Sequence, residues 1–249
     1  VWKVVFNIQD IFLHKTEFRK YLGYLPQDFG VYPKETASSL LHYFSILKGI
    51  SSKKERNIVV DSVLETTNLL EAKNKRVSTF SGGMRQRFGI AQLLLNNPQI
   101  IIVDEPTAGL DPAERTRFLN VLRNIGSDNI VIFSTHLVED VTALCNKMAI
   151  MNLGKLLSEI APKEATKQLE GKIWETELLE SDLKKSPISL LKLSDRYNEE
   201  NRLIIRFYAA ERTVEACVPV SPKLEDFYFQ TLNKAWNEKC RFSVWSESL

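Results

Sequence analysis

The fold of this chain is decided by the stretch FSGGMRQRFGIAQLLLNNPQIIIVDEPTAGLDP, which runs from Phe80 to Pro112. It begins with small residues in front of a run of good helix formers. It continues into a strongly apolar segment that ends in two adjacent carboxylates. We therefore expect a helix N-terminus and an acidic strand end in one short stretch, and these two features suit phosphate and metal chemistry.

The first feature is the start of a helix predicted from Met84 to Leu95. Ser81 is a favoured N-cap residue, and Gly82 and Gly83 have no side chains that would keep a ligand from the backbone. A helix N-terminus carries unpaired N–H groups and about half a positive charge, so it suits a phosphate. A turn that happens to precede a helix explains the same three residues, and this pattern alone does not decide between the two.

The second feature is the apolar run Ile100–Val103, which predicts a strand buried on both faces of a parallel sheet. Asp104 and Glu105 follow at its C-terminal end, where ligands bind in open α/β sheets. The first carboxylate suits Mg²⁺, and the second suits a water that it positions or deprotonates. A solvated strand end is the alternative. Asp111, directly before Pro112, is predicted to cap the next helix.

Short segments along the chain resemble, in the family's order, motifs of the ATP-binding cassette (ABC) proteins. Ser81–Arg87 resembles their signature motif, Ile100–Glu105 their Walker B strand and Gly109–Asp111 their D-loop. Tyr24–Asp28 resembles the Q-loop, and Ser134–His136 resembles the segment that carries the switch histidine. Among ABC proteins, the chain looks closest to bacterial ATPase subunits that are encoded apart from their membrane subunits, especially exporters.

The resemblance covers roughly residues 4–160 and implies an α/β fold of the P-loop NTPase type. The implied architecture is an ABC cassette with a mostly parallel sheet core and a helical subdomain at about residues 33–96. We expect residues 1–160 to form this ATPase domain, truncated at its N-terminus. Residues 161–249 are expected to form a small α+β accessory region with a regulatory or dimer-supporting use.

Part of the site follows from the head-to-tail dimer in which ABC cassettes act. The resemblance implies that Ser81, Gly82 and Gly83 of one subunit close over the γ-phosphate of an ATP bound by the other. Asp111 is assigned to the same nucleotide-binding site. ATP would therefore hold two subunits together, and hydrolysis would release them.

The other part of the site is implied at the strand ends. Glu105 would be the base or the water-orienting residue, and His136 would contact the γ-phosphate. Asp104 and Gln27 would be Mg²⁺ ligands, and Gln27 is also assigned to catalysis. Outside this motif order, a lone histidine or a Pro-Gln-Asp turn is more often structural.

The P-loop pattern G-x-x-x-x-G-K-[ST] does not occur in the 249 residues. Gly-Lys is found at residues 154–155 and 171–172, where the following Leu156 and Ile173 supply no hydroxyl for Mg²⁺. The aromatic residue expected to stack on adenine is missing too. We expect an incomplete N-terminus at Val1, and a protein without a P-loop is the second interpretation.

Composition excludes several classes of function. The 33 basic residues nearly balance the 31 acidic ones, so bulk charge does not favour nucleic acid as a partner. No stretch approaches the ~20 apolar residues of a membrane span, and no secretory leader is expected. Cys145, Cys217 and Cys240 are far apart and odd in number, which predicts reduced thiols of a cytosolic protein rather than disulfides.

Local patterns predict the elements on either side of the central stretch. Before it, we expect a hairpin over Val1–Phe12, with its turn near Asn7–Asp10, and a strand over Tyr21–Leu25. Two helices should follow, the first starting at Pro33 and the second capped by Ser51 and Ser52. After it, the predicted elements are a buried strand over Asn129–Phe133, a helix over Leu137–Cys145 and a hairpin over Lys147–Leu157.

The last third of the chain has a different pattern, which predicts the accessory region. We expect a helix over residues 162–170, strands over 172–179, 189–193, 203–209 and 213–219, and a helix over Pro222–Trp236. The tail from Asn237 to Leu249 gives no interpretable pattern.

Three classes of function fit these observations. The first, which we favour, is an ATPase subunit that drives a separate membrane permease from the cytoplasmic face of the inner membrane, in the direction of export. The second is a soluble ABC protein of DNA repair or translation, although the long coiled coil or second cassette of those classes is not seen. The third is a non-catalytic fragment that only docks or dimerises.

Overall fold

The computed structural model describes residues 5–6, 9–30, 34–179, 192–198, 202–212 and 216–245. The chain divides into two compact units, Val1–Leu137 and Val138–Leu249. A compact unit is not the same as a family domain, so the predicted domain boundary after residue 160 stays a prediction.

The first unit begins with a small antiparallel hairpin of strands β1 (Val5–Phe6) and β2 (Gln9–Asp10), as predicted. The predicted turn extended to Asp10, but residues 9–10 belong to β2. A short helix, α1 (Lys15–Phe18), follows. The ring of Phe6 packs at 5.5 Å from the ring of Phe18 and at 5.5 Å from that of Tyr21, which anchors the hairpin to the chain that follows it.

A three-stranded parallel sheet is the centre of the first unit. Its strands are β3 (Leu22–Leu25), β4 (Ile100–Val103) and β5 (Ile130–Phe133), in the order β3-β4-β5. The register pairs Leu25 with Val103 and Val103 with Phe133. All three strands therefore end at the same level, and the residues that follow them share one edge of the sheet.

One face of this sheet is covered and the other is partly open in the described residues. Ile101 and Val103 are fully buried on the covered face. On the other face Ile130 is 58% exposed and Ile132 is 53% exposed. The prediction that the strand over Asn129–Phe133 is buried is therefore wrong. Among the described residues, β5 pairs with β4 alone and lies at the edge of the sheet. The prediction that β4 is buried on both faces holds for one face, since Ile100 and Ile102 are half-buried.

The helices predicted between β3 and β4 are present. They are α2 (Ala37–Leu47), α3 (Lys53–Thr66) and α4 (Gly82–Leu94), with 3₁₀ turns at Leu70–Ala72 and Val77–Thr79. Ser52 and Ser81 cap α3 and α4 through their side chains, as predicted. Pro33 lies outside the described residues, and Thr36 rather than Pro33 caps α2. Apolar side chains shared by these helices form one core, with Leu41, Leu64 and Phe88 buried in it.

Helix α5 (Pro112–Ile125) completes the covered layer of the first unit. Its predicted cap is confirmed, because the Asp111 side chain accepts a hydrogen bond of 2.9 Å from the backbone N–H of Glu114. The helix ends at Ile125, and Gly126 is its C-cap residue.

The second unit begins with helix α6 (Val138–Leu144), followed by the hairpin of β6 (Met148–Asn152) and β7 (Lys155–Ile160) and by helix α7 (Pro162–Lys167). All of these were predicted. Burial, together with the nearby Asp140 carboxylate, raises the pKa of the Cys145 thiol to about 11. The thiol is therefore protonated at neutral pH. Neither Cys145 nor Cys217 forms a disulfide bond, which agrees with the prediction of reduced cysteines.

An antiparallel sheet follows, in the order β11-β8-β10-β9. Its strands are β8 (Ile173–Leu178), β9 (Lys192–Tyr197), β10 (Leu203–Tyr208) and β11 (Val218–Pro219). Strand β9 starts at Lys192, and residues 189–191 of the strand predicted at 189–193 lie outside the described residues. The described part of the strand predicted at 213–219 contains β11, and residues 213–215 lie outside the described residues.

The last helix, α8 (Leu224–Trp245), starts two residues after the predicted Pro222 and continues through most of the tail that gave no pattern. Across the described ranges, helices that combine the length and the apolar character needed for a membrane crossing are not found.

Candidate functional site

The polar residues predicted for catalysis gather at one edge of the parallel sheet. Gln27 follows β3, Asp104 and Glu105 follow β4, and Ser134 and His136 follow β5. The backbone ladder continues past the strand ends, since the N–H of Asp104 donates to Leu25 and that of Ser134 to Val103, at 2.9 and 3.1 Å. Parallel strands in register thus bring together residues that are far apart in the sequence.

Glu105 and His136 are in direct contact. The Glu105 Oε2 lies 2.6 Å from the His136 Nδ1. The Glu105 side chain is 25% exposed and that of His136 is 66% exposed, so the pair is open to a ligand from solvent. Glu105 also has a backbone φ of +44°, which is unusual for a residue other than glycine and is found preferentially at functional sites.

Ser134 forms hydrogen bonds with both Asp104 and Glu105. These two contacts were not predicted from the sequence. The Ser134 hydroxyl donates a hydrogen bond of 2.5 Å to Asp104 Oδ1 and accepts one of 3.0 Å from the backbone N–H of Glu105. One signal in the sequence could have indicated these contacts. Ser134 is a hydroxyl residue at the first position after β5, and β5 runs parallel to β4, the strand that Asp104 and Glu105 follow.

Gln27 shares the edge but makes no hydrogen bond with Glu105 or His136, the other two predicted catalytic residues. It is exposed, and its side chain makes no hydrogen bond within the described ranges of the chain. Its assignment to catalysis and to Mg²⁺ therefore stays a prediction.

The glycine-lined helix start divides into an exposed and a buried part. Ser81 and Gly82 are exposed, and the Ser81 Oγ accepts a hydrogen bond of 3.2 Å from Met84 N–H. Gly83 is buried against the side chain of Glu114, so close that a Cβ there would lie 2.8 Å from Glu114 Cβ. Gly83 thus has a packing role that the sequence did not indicate, and its nucleotide-binding role stays a prediction.

Comparison with known proteins decides the family. Residues 3–108 match the family model described as ABC transporter, and this region contains the predicted Q-loop, signature and Walker B residues. This part of the chain belongs to the ABC transporter family.

Individual ABC relatives are similar over larger parts of the chain. An uncharacterized ABC transporter ATP-binding protein of Bacillus subtilis is 34% identical over 182 residues, which cover 68% of this chain and 61% of the relative. The bacitracin transport ATP-binding protein BcrA of Bacillus licheniformis is 33% identical over 205 residues, which cover 81% and 65%. The Nod factor export ATP-binding protein I of Rhizobium etli is 34% identical over 154 residues, which cover 61% and 48%. The chain therefore spans less than two thirds of the length of each of these relatives.

The ABC family implies Mg²⁺, and the residues at the sheet edge fit that ion. Mg²⁺ prefers hard oxygen ligands and is bound through one or two carboxylates plus substrate phosphates. Asp104 offers such an oxygen, because Ser134 occupies Oδ1 while Oδ2 has no hydrogen-bond partner in the part of the chain that the structure describes. The amide oxygen of Gln27 is a second hard donor on the same edge.

A buried ion pair joins helix α4, which starts at the predicted signature motif, to helix α5, which follows the predicted D-loop. The Arg87 Nη1 of α4 lies 2.6 Å from the Glu114 Oε2 of α5, and the side chains are 6% and 13% exposed. Arg117 donates to the other carboxylate oxygen at 2.7 Å. Breaking a buried pair by removing or displacing one partner is strongly destabilising, because the other charge stays buried. Asp111, which was assigned to a D-loop, is exposed but already caps α5, so its D-loop and nucleotide-binding roles stay predictions.

Replacing Gly83 with alanine is expected to destabilise the first unit by about 2–3 kcal/mol. The new Cβ overlaps the Glu114 carboxylate and must push it away from Arg87. Gly82→Ala is the matched control, since its Cβ would meet only Leu110 Cδ2, at an ordinary 3.5 Å. Urea unfolding followed by circular dichroism measures the difference. Equal stability of the two variants would contradict the packing role of Gly83.

Proposed function

We propose that this chain is the ATP-binding and ATP-hydrolysing part of an ABC transporter, which energises the export of a substrate through a separate membrane permease. The observation that carries the proposal is the contact between Glu105 and His136, with the Asp104 carboxylate beside them at the carboxyl edge of a parallel sheet. This is the place where open α/β sheets bind their ligands.

The proposed chemistry is hydrolysis of the γ-phosphate bond of ATP. Glu105 would orient the attacking water or accept its proton, and catalysis by a positioned base of this kind contributes about 10²–10⁴-fold. Asp104 and Gln27 would hold Mg²⁺, which when bound would neutralise charge on the phosphate oxygens. The protein supplies positioning and electrostatics, which account for most of the catalysis of phosphoryl transfer.

His136 would have two partners in this arrangement. Its Nδ1 contacts the Glu105 carboxylate, which favours the tautomer that carries a proton on that nitrogen. Its Nε2 has no hydrogen-bond partner within the described ranges and is available to the γ-phosphate. A contact of this kind would couple the position of Glu105 to the presence of the phosphate.

A second ATPase subunit, identical or related, would complete the site. Ser81 and Gly82 are exposed at the start of α4, so their backbone N–H groups are free to approach a phosphate bound by another subunit. We propose a head-to-tail dimer that ATP closes and hydrolysis opens.

A membrane permease is the proposed second partner. The helical part exposes large apolar side chains on α2 and α3, with Tyr43 51%, Leu47 64% and Ile58 62% exposed. Exposed apolar groups of this size suit a protein interface. The relatives named for bacitracin transport and for Nod factor export support transport, and export as its direction. The chain would then act at the cytoplasmic face of the inner membrane.

The test is an ATPase assay on the product of the entire coding sequence, including whatever precedes Val1. Steady ATP hydrolysis, and co-purification with a polytopic membrane protein, are the results expected. An ATP-inactive product that still binds the permease would favour the second candidate, a docking subunit without catalysis, which the lack of a P-loop pattern in the printed sequence keeps open.

The 249-residue chain by itself is expected not to bind ATP with micromolar affinity. The P-loop supplies the backbone N–H groups that cradle the α- and β-phosphates, and its pattern is not found in this sequence. Isothermal titration calorimetry with ATP and Mg²⁺ measures this directly. Heat that fits a micromolar dissociation constant would show that these residues hold the nucleotide by a different arrangement.

A further inference from the structure

Ser134 lies at the sheet edge and contacts both acidic residues after β4. A single hydroxyl connects the backbone N–H of Glu105, which donates to Ser134 Oγ at 3.0 Å, to Asp104 Oδ1, which accepts from Ser134 Oγ at 2.5 Å. The hydroxyl of Ser134 has a different role in each hydrogen bond. Its oxygen accepts the bond from Glu105, and its proton is donated to Asp104. The result is a chain of hydrogen bonds from Glu105 to Asp104 through a residue of the neighbouring strand end.

The backbone of Glu105 needs such support. Its φ of +44° lies in the left-handed region, where a side chain with a Cβ costs roughly 1–2 kcal/mol. Conformations of this kind persist only when surrounding contacts hold them, and they concentrate at functional sites. The Glu105 N–H is held by its hydrogen bond to Ser134, and the Glu105 carboxylate contacts His136.

The same hydroxyl restricts Asp104. A carboxylate has about four acceptor sites on two oxygens, and Ser134 fixes one of them at a short distance. With Oδ1 engaged, the rotation of the carboxylate is limited and Oδ2 keeps one orientation. One side chain thereby sets the positions of Asp104 and Glu105, the residues assigned to the cation and to the water, relative to each other.

We propose that Ser134 is a positioning residue for ATP hydrolysis, which sets the left-handed backbone of Glu105 and the orientation of Asp104 together. The proposal rests on the proposed function for its catalytic part. Its structural part is that the hydrogen bond to Ser134 stabilises the backbone conformation of Glu105. This part concerns the chain alone and is tested without nucleotide.

The structural part is tested on the 249-residue chain by the hydrogen exchange of the Glu105 amide, measured by NMR. Ser134→Ala removes the acceptor of this N–H, so its exchange should become faster by up to about tenfold, the factor that a neutral hydrogen bond supports. Ser134→Thr keeps the hydroxyl and should restore the slow exchange. Ser127→Ala is the matched control, because the Ser127 hydroxyl also binds a carbonyl and a carboxylate, those of Asn124 and Asp128, away from the strand end.

The catalytic part is tested by steady-state kinetics on the product of the entire coding sequence. Ser134→Ala should lower kcat about 10- to 100-fold, the range that a hydrogen bond to a charged group supports, with KM for ATP nearly unchanged. Ser134→Thr should recover most of kcat, and Ser127→Ala should match the wild type. Because a loss of folded protein would also lower the apparent kcat with KM unchanged, kcat is calculated per folded enzyme, with the folded fraction measured by circular dichroism. A purely structural defect would then leave kcat unchanged.

The outcomes separate this proposal from the proposed function. A wild-type product that hydrolyses ATP, with kcat unchanged in Ser134→Ala, overturns the positioning role and leaves the function standing. A wild-type product without ATPase activity overturns both the proposed function and the catalytic part of this proposal. The exchange rate of the Glu105 amide still tests whether Ser134 stabilises the Glu105 backbone. Equal exchange of the Glu105 amide in wild type and Ser134→Ala overturns the structural part.

Discussion

Glu105→Gln is expected to lower the turnover of ATP by about 10²–10⁴-fold while ATP binding is kept. Glutamine has nearly the same size and keeps the backbone hydrogen bond to Ser134, so the site should stay folded. It lacks the carboxylate that would take a proton from water or orient it. The loss should therefore fall on kcat, as expected when an interaction made only in the transition state is removed.

The measurement is steady-state ATPase kinetics on the product of the entire coding sequence, together with calorimetry for ATP affinity. Glu71→Gln is the matched control, because Glu71 is an exposed glutamate of the same unit with no hydrogen bond or ion pair in the described residues. Its kcat should stay within about twofold of the wild type. Turnover by Glu105→Gln within tenfold of the wild type would remove Glu105 from its proposed role.

Much of the local structure was predictable because it depends on the chemistry of neighbouring residues. Ser52, Ser81 and Asp111 each cap a helix with their own side chain, and a cap needs only the residues of the next turn. The run Ile100–Val103 likewise indicates a strand by itself. The placement of Glu105 and His136 at one edge of the sheet was also implied, since parallel strands place their carboxyl ends together.

What the sequence did not indicate depends on partners that are distant in the chain. The hydrogen bonds of Ser134 require the register of β4 and β5, which sets a hydroxyl beside a carboxylate thirty positions away. The role of Gly83 requires Glu114 of another helix above it. The exposure of Ile130 depends on the order of the strands in the sheet. It could not be predicted, because an apolar run has the same sequence pattern in an edge strand and in a central strand.

The second unit contains a buried charge network that the sequence did not indicate either. Arg206 of β10 donates to Asp226 of α8 through two nitrogens, at 3.0 and 2.7 Å, and to Glu175 of β8 at 2.7 Å. The side chains of Arg206 and Asp226 are 12% and 3% exposed. The hydrogen bond to Asp226 raises the pKa of Arg206, so the guanidinium stays charged throughout the working range of pH. One arginine therefore joins two strands and a helix.

Arg206→Met is expected to destabilise the second unit by about 3–5 kcal/mol, because Asp226 is left as a buried charge without its partner. Hydrogen exchange of the β8 and β10 amides, followed by mass spectrometry, reports this unit separately from the first. Arg202→Met is the matched control, since Arg202 pairs with Glu177 at 3.4 Å with both side chains exposed, and such a pair contributes at most about 1 kcal/mol.

A second variant distinguishes the charge from the packing of the arginine stem. Arg206→Met combined with Asp226→Asn removes the buried charge but keeps an oxygen that accepts from Lys223 N–H, as Asp226 does at 2.7 Å. We expect the double variant to be more stable than Arg206→Met alone, because a neutral amide costs less to bury than an unpaired carboxylate. If the double variant is the less stable of the two, the loss comes from the contacts of the stem, and the charge network does not hold β8, β10 and α8 together.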